Sequence, residues 1–201
     1  KKIPISILGN RYGNVGRKIW LMAQGLDYDA LKIESKPPQS FGHGKVTIPG
    51  LKDVHLIKKI FRHMCEKVAK RMRINAYESD KFFIGYKTWE GWHVRKFQLS
   101  YFTNNGSDIY GLAENLICKI NLTLGINQVQ VTAINPQPIN LQVDIFGKKD
   151  VFNNRVIDNV IDQINLKYPD SVIGPARLLG KASSPDVISP SWRPKGWKRS
   201  V

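Results

Sequence analysis

The chain has 201 residues, 42% of them apolar, with 31 Lys and Arg against 16 Asp and Glu. Such a chain can bury a core of its own in one or two domains. Its net charge of +15 exceeds what solubility needs and indicates a polyanionic partner. No apolar stretch approaches the ~20 residues of a membrane-spanning helix and the start does not resemble a signal peptide, so we expect nucleic acid and no membrane partner.

Residues 1–30 have the pattern of the end of a helical unit. Residues 11–16 contain turn formers, apolar positions recur after Val15, and Gly25 ends the predicted helix. The chain begins at Lys1 without an initiator Met, which suggests a fragment of a longer protein.

A connector follows this helical unit. Its composition changes to Lys, Ser and Glu and includes the pair Pro37 and Pro38, which favours an extended segment with few hydrogen bonds. We therefore predict a linker over residues 31–39 and a domain boundary within it.

A strand and a helix open the next segment. The strand begins at Ser40, with Gly42 and Gly44 on the same face and Phe41 on the other. A face lined by glycine lets another backbone approach closely. Asp53 can cap the following helix, whose apolar residues form a single stripe.

A hairpin, a second helix and a last strand complete the segment. Residues 82–101 alternate apolar and polar side chains on both sides of a Gly interruption, which predicts a hairpin with one polar face. Ser107 or Asp108 can cap the second helix, and Gly125 ends it. In the last strand, the side chains that point inward are those of Val129, Val131 and Ala133.

The order strand, helix, hairpin, helix, strand predicts an α+β fold. Its four-stranded antiparallel or mixed sheet carries two helices on one face, is preceded by a short helical segment and is followed by a helical and irregular tail. The other face of the sheet is left open to solvent or to a ligand.

The open face of the predicted sheet is the candidate nucleic-acid surface. We expect it to hold no carboxylate and almost no apolar bulk, and its hydroxyl, amide, lysine and backbone N–H groups suit contacts to phosphates. A merely solvated face is the alternative, but such faces usually also carry Glu and Asp. The candidate residues are Ser40, Gly42, Gly44, Lys45, Lys87, Lys96, Gln98, Ser100, Gln128, Gln130 and Thr132.

The tail has a different composition. Apolar residues from Val156 to Ile164 mark one amphipathic helix that ends near Tyr168. No periodicity follows, and Trp192 and Trp197 lie among basic residues, where they could stack on a base or fold back onto the domain.

The peptide Gln142–Phe146 lies between the last predicted strand and this tail. A short extended peptide of this kind can dock in a partner by laying alternate side chains into pockets. The alternative is the end of an edge strand whose Val143, Ile145 and Phe146 pack within the domain.

Convergent catalytic groups are not evident in the sequence. The four histidines are scattered, no glycine-rich phosphate loop precedes Lys and Ser or Thr, and no clustered acids suit two-metal chemistry. We expect this segment alone to be inactive and without a metal site. Cys65 and Cys118 fall on predicted apolar stripes, which favours reduced thiols, no disulfide and a cytoplasmic location.

Three passages resemble the thumb-to-little-finger region of Y-family translesion DNA polymerases. They are Arg11–Trp20, Gln24–Asp27 and Lys36–Thr47, the last with Ser40-Phe41-Gly42-His43-Gly44. The resemblance spans residues 1 to about 146. It implies that residues 1–30 end a thumb, that 31–39 link it to a little-finger domain over 40–146, and that 147–201 form a tail.

The resemblance also gives the peptide a role. Gln142, Val143, Asp144, Ile145 and Phe146 are similar to the motif by which bacterial members dock in the sliding clamp, the DNA polymerase III beta subunit. Since a helix and a tail follow it here, the chain looks like the UmuC type, the catalytic subunit of polymerase V.

Partners and cofactors follow from the same resemblance. They are primer–template DNA, the clamp, an accessory SOS subunit or a recombinase, and magnesium on palm carboxylates of the parent enzyme. Family members often carry Arg on the last strand, whereas this chain has Gln128, Gln130 and Thr132, which implies weaker and less salt-dependent DNA contact.

Two other functions stay open at this point. The first is a stand-alone RNA- or ribosome-binding module, which requires stacking aromatic residues on the open face. Phe82, Phe97 and Tyr101 are all predicted to face inward, which counts against it. The second is a protein-binding domain whose positive charge is incidental.

Overall fold

The structure is a computed structural model that describes residues 3–29, 37–140, 149–168 and 172–178, with the backbone alone for 149–154. The chain divides into two compact units, residues 1–37 and 38–201. The peptide Gln142–Phe146 and both tail tryptophans lie outside the described residues.

The first unit contains helix α1, Ile5–Ala23, which is kinked at Gly13. Gly13 has φ 61° and ψ −140°, a backbone conformation that only glycine adopts readily. Two helical segments therefore meet at this residue. A Cβ on the buried Gly16 would lie 2.0 Å from the Leu8 carbonyl oxygen, so the two segments pack at backbone distance. The helix ends before Gly25, which has φ 77°.

The strands of the second unit are β1 Ser40–Leu51, β2 Tyr77–Lys87, β3 Trp92–Thr103, β4 Ile126–Ile134 and β5 Gln137–Pro138. The first four form an antiparallel sheet in the order β1-β4-β2-β3. A short strand, β5, pairs with β2 outside this order. The predicted α+β fold, with its strand, helix, hairpin, helix, strand order, is confirmed.

Helix α2, Val54–Ile74, begins where the sequence predicts it. The Asp53 side chain accepts hydrogen bonds from the backbone N–H groups of His55 and Leu56, at 2.8 and 3.3 Å. This N-cap satisfies donors that have no partner within the helix.

Helix α3, Gly106–Ile117, differs from its prediction at both ends. Asn105 is the N-cap, because its side-chain oxygen accepts from the N–H groups of Ser107 and Asp108 at 2.8 and 3.3 Å. The helix is also shorter than predicted, and Gly125 lies instead in the turn that leads into β4 with φ 64°.

Helices α2 and α3 cover one face of the sheet and enclose the core. Each large side chain buried there stabilises the fold by roughly 1.5–3 kcal/mol relative to exposure. The predicted inward residues of β4 are all fully buried. Among the largest core side chains are Phe61, Phe82, Ile57, Met64, Met72, Ile84 and Ile109.

Helix α4, Lys149–Leu166, confirms that the tail contains a helix, but Val156, Ile157 and Val160 of its predicted apolar stripe are exposed. Polar contacts attach it to the domain. Arg73 of α2 pairs with Asp162 at 2.6 Å, and Arg155 pairs with the buried Glu78 of β2 at 2.6 Å. A short 3-10 helix, Ala176–Leu178, follows.

The two cysteines differ in environment. Cys65 is a buried free thiol whose pKa is raised by burial, whereas Cys118 is a free thiol exposed at the C-terminal end of α3. The prediction that Cys118 belongs to an apolar stripe is wrong because α3 ends before it. Within the described residues, no helix is long and apolar enough to span a membrane.

Candidate nucleic-acid interface

The strand register defines the face of the sheet that the helices leave uncovered. Residues directly opposite each other in antiparallel strands project to the same side. Four rows cross the sheet on this side, and we call them the open face. They are Val46–Gln128–Lys87–Trp92, Gly44–Gln130–Gly85–Val94, Gly42–Thr132–Phe83–Lys96 and Ser40–Ile134–Lys81–Gln98.

Nearly all the candidate residues predicted for this surface occupy these rows. Ser100 is exposed and lies beyond the last row, past Gln98 in β3. Lys45 is the exception, because it pairs with Val129, a fully buried residue of the helix-covered face. The placement of Lys45 on the open face is therefore wrong, since alternation along β1 turns it to the opposite side from Gly44.

The glycines of β1 serve a different purpose from the one predicted. A Cβ on Gly44 would lie 2.1 Å from Gln130 Oε1, and a Cβ on Gly42 would lie 2.9 Å from Thr132 Oγ1. Gln130 Nε2 also donates to Thr132 Oγ1 at 3.0 Å. Side chains of β4 thus fill the space above both glycines. The glycines admit this neighbouring strand and do not leave bare backbone for a ligand.

Apolar side chains are more abundant on the open face than predicted. Trp92 is 45% exposed and Phe83 is 41% exposed, while Val94 and Val46 are 56% and 72% exposed. The expectation of almost no apolar bulk is wrong. The signal was present in the sequence, since Phe83 follows the inward Phe82 and so faces outward in any regular strand.

A carboxylate also reaches this surface at one end. Asp80 sits in the irregular pairing between Ser79 and Lys81, where its Oδ2 accepts from Gln98 Nε2 at 3.0 Å. The same oxygen lies 3.9 Å from Lys81 Nζ. The prediction of a face without carboxylates fails at this end, and the Gln98 amide is already engaged.

The rest of the open face is cationic and apolar. Lys87 lies directly across from Trp92, and Lys96 lies across from Phe83. Both lysines are exposed. Amide, hydroxyl and ammonium groups alongside flat apolar surfaces can contact phosphates and bases together.

No metal-binding cluster of three or more His, Cys, Asp or Glu occurs in the part of the chain that the structure describes. The histidine of β3 has a structural partner, because His93 stacks on Tyr86 with ring centroids 5.0 Å apart. His93 Nε2 also lies 3.2 Å from Thr88 Oγ1.

Comparison with known proteins identifies several curated relatives of this chain. The chain is 28% identical to a DNA polymerase IV from Moorella thermoacetica over 176 residues, which are 85% of this chain and 43% of that relative. It is 27% identical over 179 residues to the putative UV-damage repair protein UvrX of Bacillus subtilis, covering 86% of this chain and 42% of the relative.

The chain spans less than half the length of these curated relatives. Residues 38–142, which include the whole sheet with α2 and α3, match the impB/mucB/samB family C-terminal domain. The chain therefore belongs to the impB/mucB/samB family and carries the C-terminal region of a Y-family polymerase.

Proposed function

We propose that this chain is the DNA-holding and clamp-docking C-terminal part of an error-prone translesion DNA polymerase. The observation that carries the proposal is the open face, with Lys81, Lys87 and Lys96 on one side of a sheet whose other side is covered by helices. An excess of positive charge with few base-reading groups favours contact to the phosphate backbone. The names of the relatives, DNA polymerase IV and UvrX, support the same conclusion.

The parent protein in this proposal is a DNA-directed DNA polymerase of the UmuC type that acts in the cytoplasm during the SOS response to DNA damage. Its magnesium ions would bind palm carboxylates outside this chain, so the chain alone is inactive. The tail that follows the clamp peptide is the part we assign to an accessory SOS subunit or a recombinase.

Phosphate contact through the open face has a direct test. The chain would be titrated with a fluorescent blunt DNA duplex at several salt concentrations. Each phosphate contact that is lost reduces the slope of log affinity against log salt by about 0.9. Lys87→Glu and Lys96→Glu should each weaken binding and lower that slope.

Lys45→Glu is the matched control for these variants. It makes the same change of charge in the same sheet, but on the helix-covered face. Equal losses from Lys45→Glu and Lys87→Glu would show that net charge alone drives binding, and the open face would then have no special role. Absence of duplex binding near physiological salt would favour the protein-binding alternative.

Clamp docking is proposed for Gln142–Phe146. Gln142 would hydrogen-bond at the rim of the clamp cleft, while Ile145 and Phe146 would fill its apolar pocket. The double variant Gln142→Ala with Phe146→Ala should abolish binding to the purified clamp in a surface-immobilised assay. Undiminished binding by that variant would refute the docking role.

A single-stranded RNA module is the second candidate function. It is favoured by Phe83 and Trp92, because the structure places on the open face the aromatic residues that such a module requires. A competition titration decides between the two. Primer–template DNA should displace the labelled duplex at lower concentration than single-stranded RNA of equal length, and the reverse order would favour the RNA module.

A further inference from the structure

The tip of the β2–β3 hairpin carries two exposed tryptophans that phosphate contact does not explain. Trp89 is 72% exposed between the strands, and Trp92, the first residue of β3, is 45% exposed. One exposed apolar side chain is ordinary on a protein surface. Here Trp92 shares a row of the open face with Val46, and Val94 occupies the next row, so several exposed apolar side chains gather at one end.

The hairpin tip is held in place by its own backbone and by a threonine. Thr88 N–H donates to the Gly91 carbonyl at 2.9 Å, and Thr88 Oγ1 accepts from the Glu90 N–H at 3.3 Å. Gly91 has φ 139°, which favours glycine. The backbone of Trp89 is thus part of a hydrogen-bonded turn, so binding would need to order only its side chain.

The charge around the tip is complementary to a nucleic-acid strand. Residues 85–96, which surround the tip, contain three Lys or Arg and one acidic residue, Glu90. Lys87 lies across from Trp92, and Lys96 is on the same face, four residues further along β3. Ammonium groups beside exposed indoles match phosphates beside bases, whereas a purely apolar protein partner would gain nothing from the lysines.

Unpaired bases fit this surface better than a duplex does. An indole can stack on a base only when the base is not stacked and paired within a double helix. Phosphate contacts elsewhere on the open face do not distinguish the two forms.

We infer that the hairpin tip, residues 87–92, binds a single-stranded DNA segment next to the duplex, with Trp89 and Trp92 stacking on its bases. The inference rests on the proposed function, since it extends the DNA contact of the open face beyond the double-stranded region. Its failure can be separated from a failure of that function by comparing two DNA probes.

The test uses the 201-residue chain, a blunt duplex, and the same duplex with a 5′ oligothymidine overhang. The unchanged chain should bind the overhang probe more tightly. Trp89→Ala should lower affinity for the overhang probe by about 5- to 150-fold for one stacked base while leaving blunt-duplex affinity unchanged. Trp89→Phe should retain most of the difference, because it keeps an aromatic face.

Tyr28→Ala is the control, since Tyr28 is an aromatic residue of the first unit that is 77% exposed. It should leave both affinities unchanged. Trp92→Ala provides a second variant of the tip, and far-UV circular dichroism verifies its fold.

Three results would overturn the inference. The first is equal affinity of the unchanged chain for both probes, and the second is full overhang preference in both tryptophan variants. The third is tighter binding of the tip to an oligouridine overhang than to oligothymidine, which would assign it to RNA. Failure of the unchanged chain to bind the blunt duplex would instead overturn the proposed function.

Discussion

Removal of the Arg73 guanidinium should release or destabilise helix α4. Arg73 Nε and Nη2 donate to the two carboxylate oxygens of Asp162 at 2.6 and 3.1 Å, and Nη1 donates to the Asn104 carbonyl at 2.9 Å. Nη1 also lies 3.7 Å from Asp158, and the Arg73 side chain is only 8% exposed. Arg73→Met keeps the length of the side chain but removes every one of these donors.

The magnitude follows from burial. Breaking a buried ion pair by removing one partner costs about 3–5 kcal/mol, because the remaining charge is left without compensation. Burial already raises the pKa of Asp158, and Arg73 is the charge that opposes this shift. The cost cannot exceed the free energy that docks α4, since detachment of the helix returns both carboxylates to water. We therefore expect the free energy of unfolding to fall by about 3–5 kcal/mol if α4 stays docked. If α4 detaches, the free energy of unfolding should fall by less.

Two measurements distinguish these outcomes. Urea unfolding gives the free energy of unfolding, and native-state hydrogen exchange reports protection of the α4 amides separately from the sheet. The control is Lys58→Met, which removes a positive charge from the same helix at a position far from Arg73. A double variant, Arg73→Met with Asp162→Leu, should recover much of the loss because it removes both charges. Equal behaviour of Arg73→Met and Lys58→Met in both measurements would refute the reasoning.

Three further predictions concern pH and glycines. Burial raises the pKa of Glu66 and Asp158 above their ordinary 4.5 and 3.8, so both bind a proton more tightly in the folded state. The stability that these two carboxyl groups contribute should be complete at pH values below their ordinary pKa. It should fall as the pH rises through their raised pKa in the folded state. A pH series of urea midpoints checks this, with Glu66→Gln flattening the curve, and a midpoint that rises over that range would contradict it. Gly13→Ala should cost about 1–3 kcal/mol in a thermal or urea unfolding assay, because φ 61° with ψ −140° strains any L-residue. Gly111→Ala, in helix α3 with no heavy atom within 4 Å of its added Cβ, should instead stabilise by about 0.5–1 kcal/mol, and a loss there would show an unrecognised contact.

Much of the second unit could be predicted from local patterns. Strict alternation correctly turned Val129, Val131 and Ala133 toward the core, because successive side chains of a strand face opposite sides. Asp53 was correctly predicted as a helix cap, since its short carboxylate reaches the free N–H groups of the next turn. The same rule of alternation places Phe83 outward and Lys45 inward, so the true orientation of both residues also follows from the sequence.

Other features depend on contacts between residues far apart in the chain. The N-cap Asn105 also donates through Nδ2 to Asp158 of α4 at 2.7 Å, a contact between residues 53 positions apart. The filling of the space above Gly42 and Gly44 by Gln130 required the register of β1 on β4.

The sequence by itself determined the family, the order of elements and the positive charge that indicates a polyanionic ligand. Only the tertiary structure decided which groups lie side by side on the open face and how α4 is attached. The pair Arg73 and Asp162 is separated by 89 residues, and a local pattern carries no information about which distant charges meet. The hairpin tip illustrates the same limit, because the pairing of the strands sets Lys87 directly opposite Trp92.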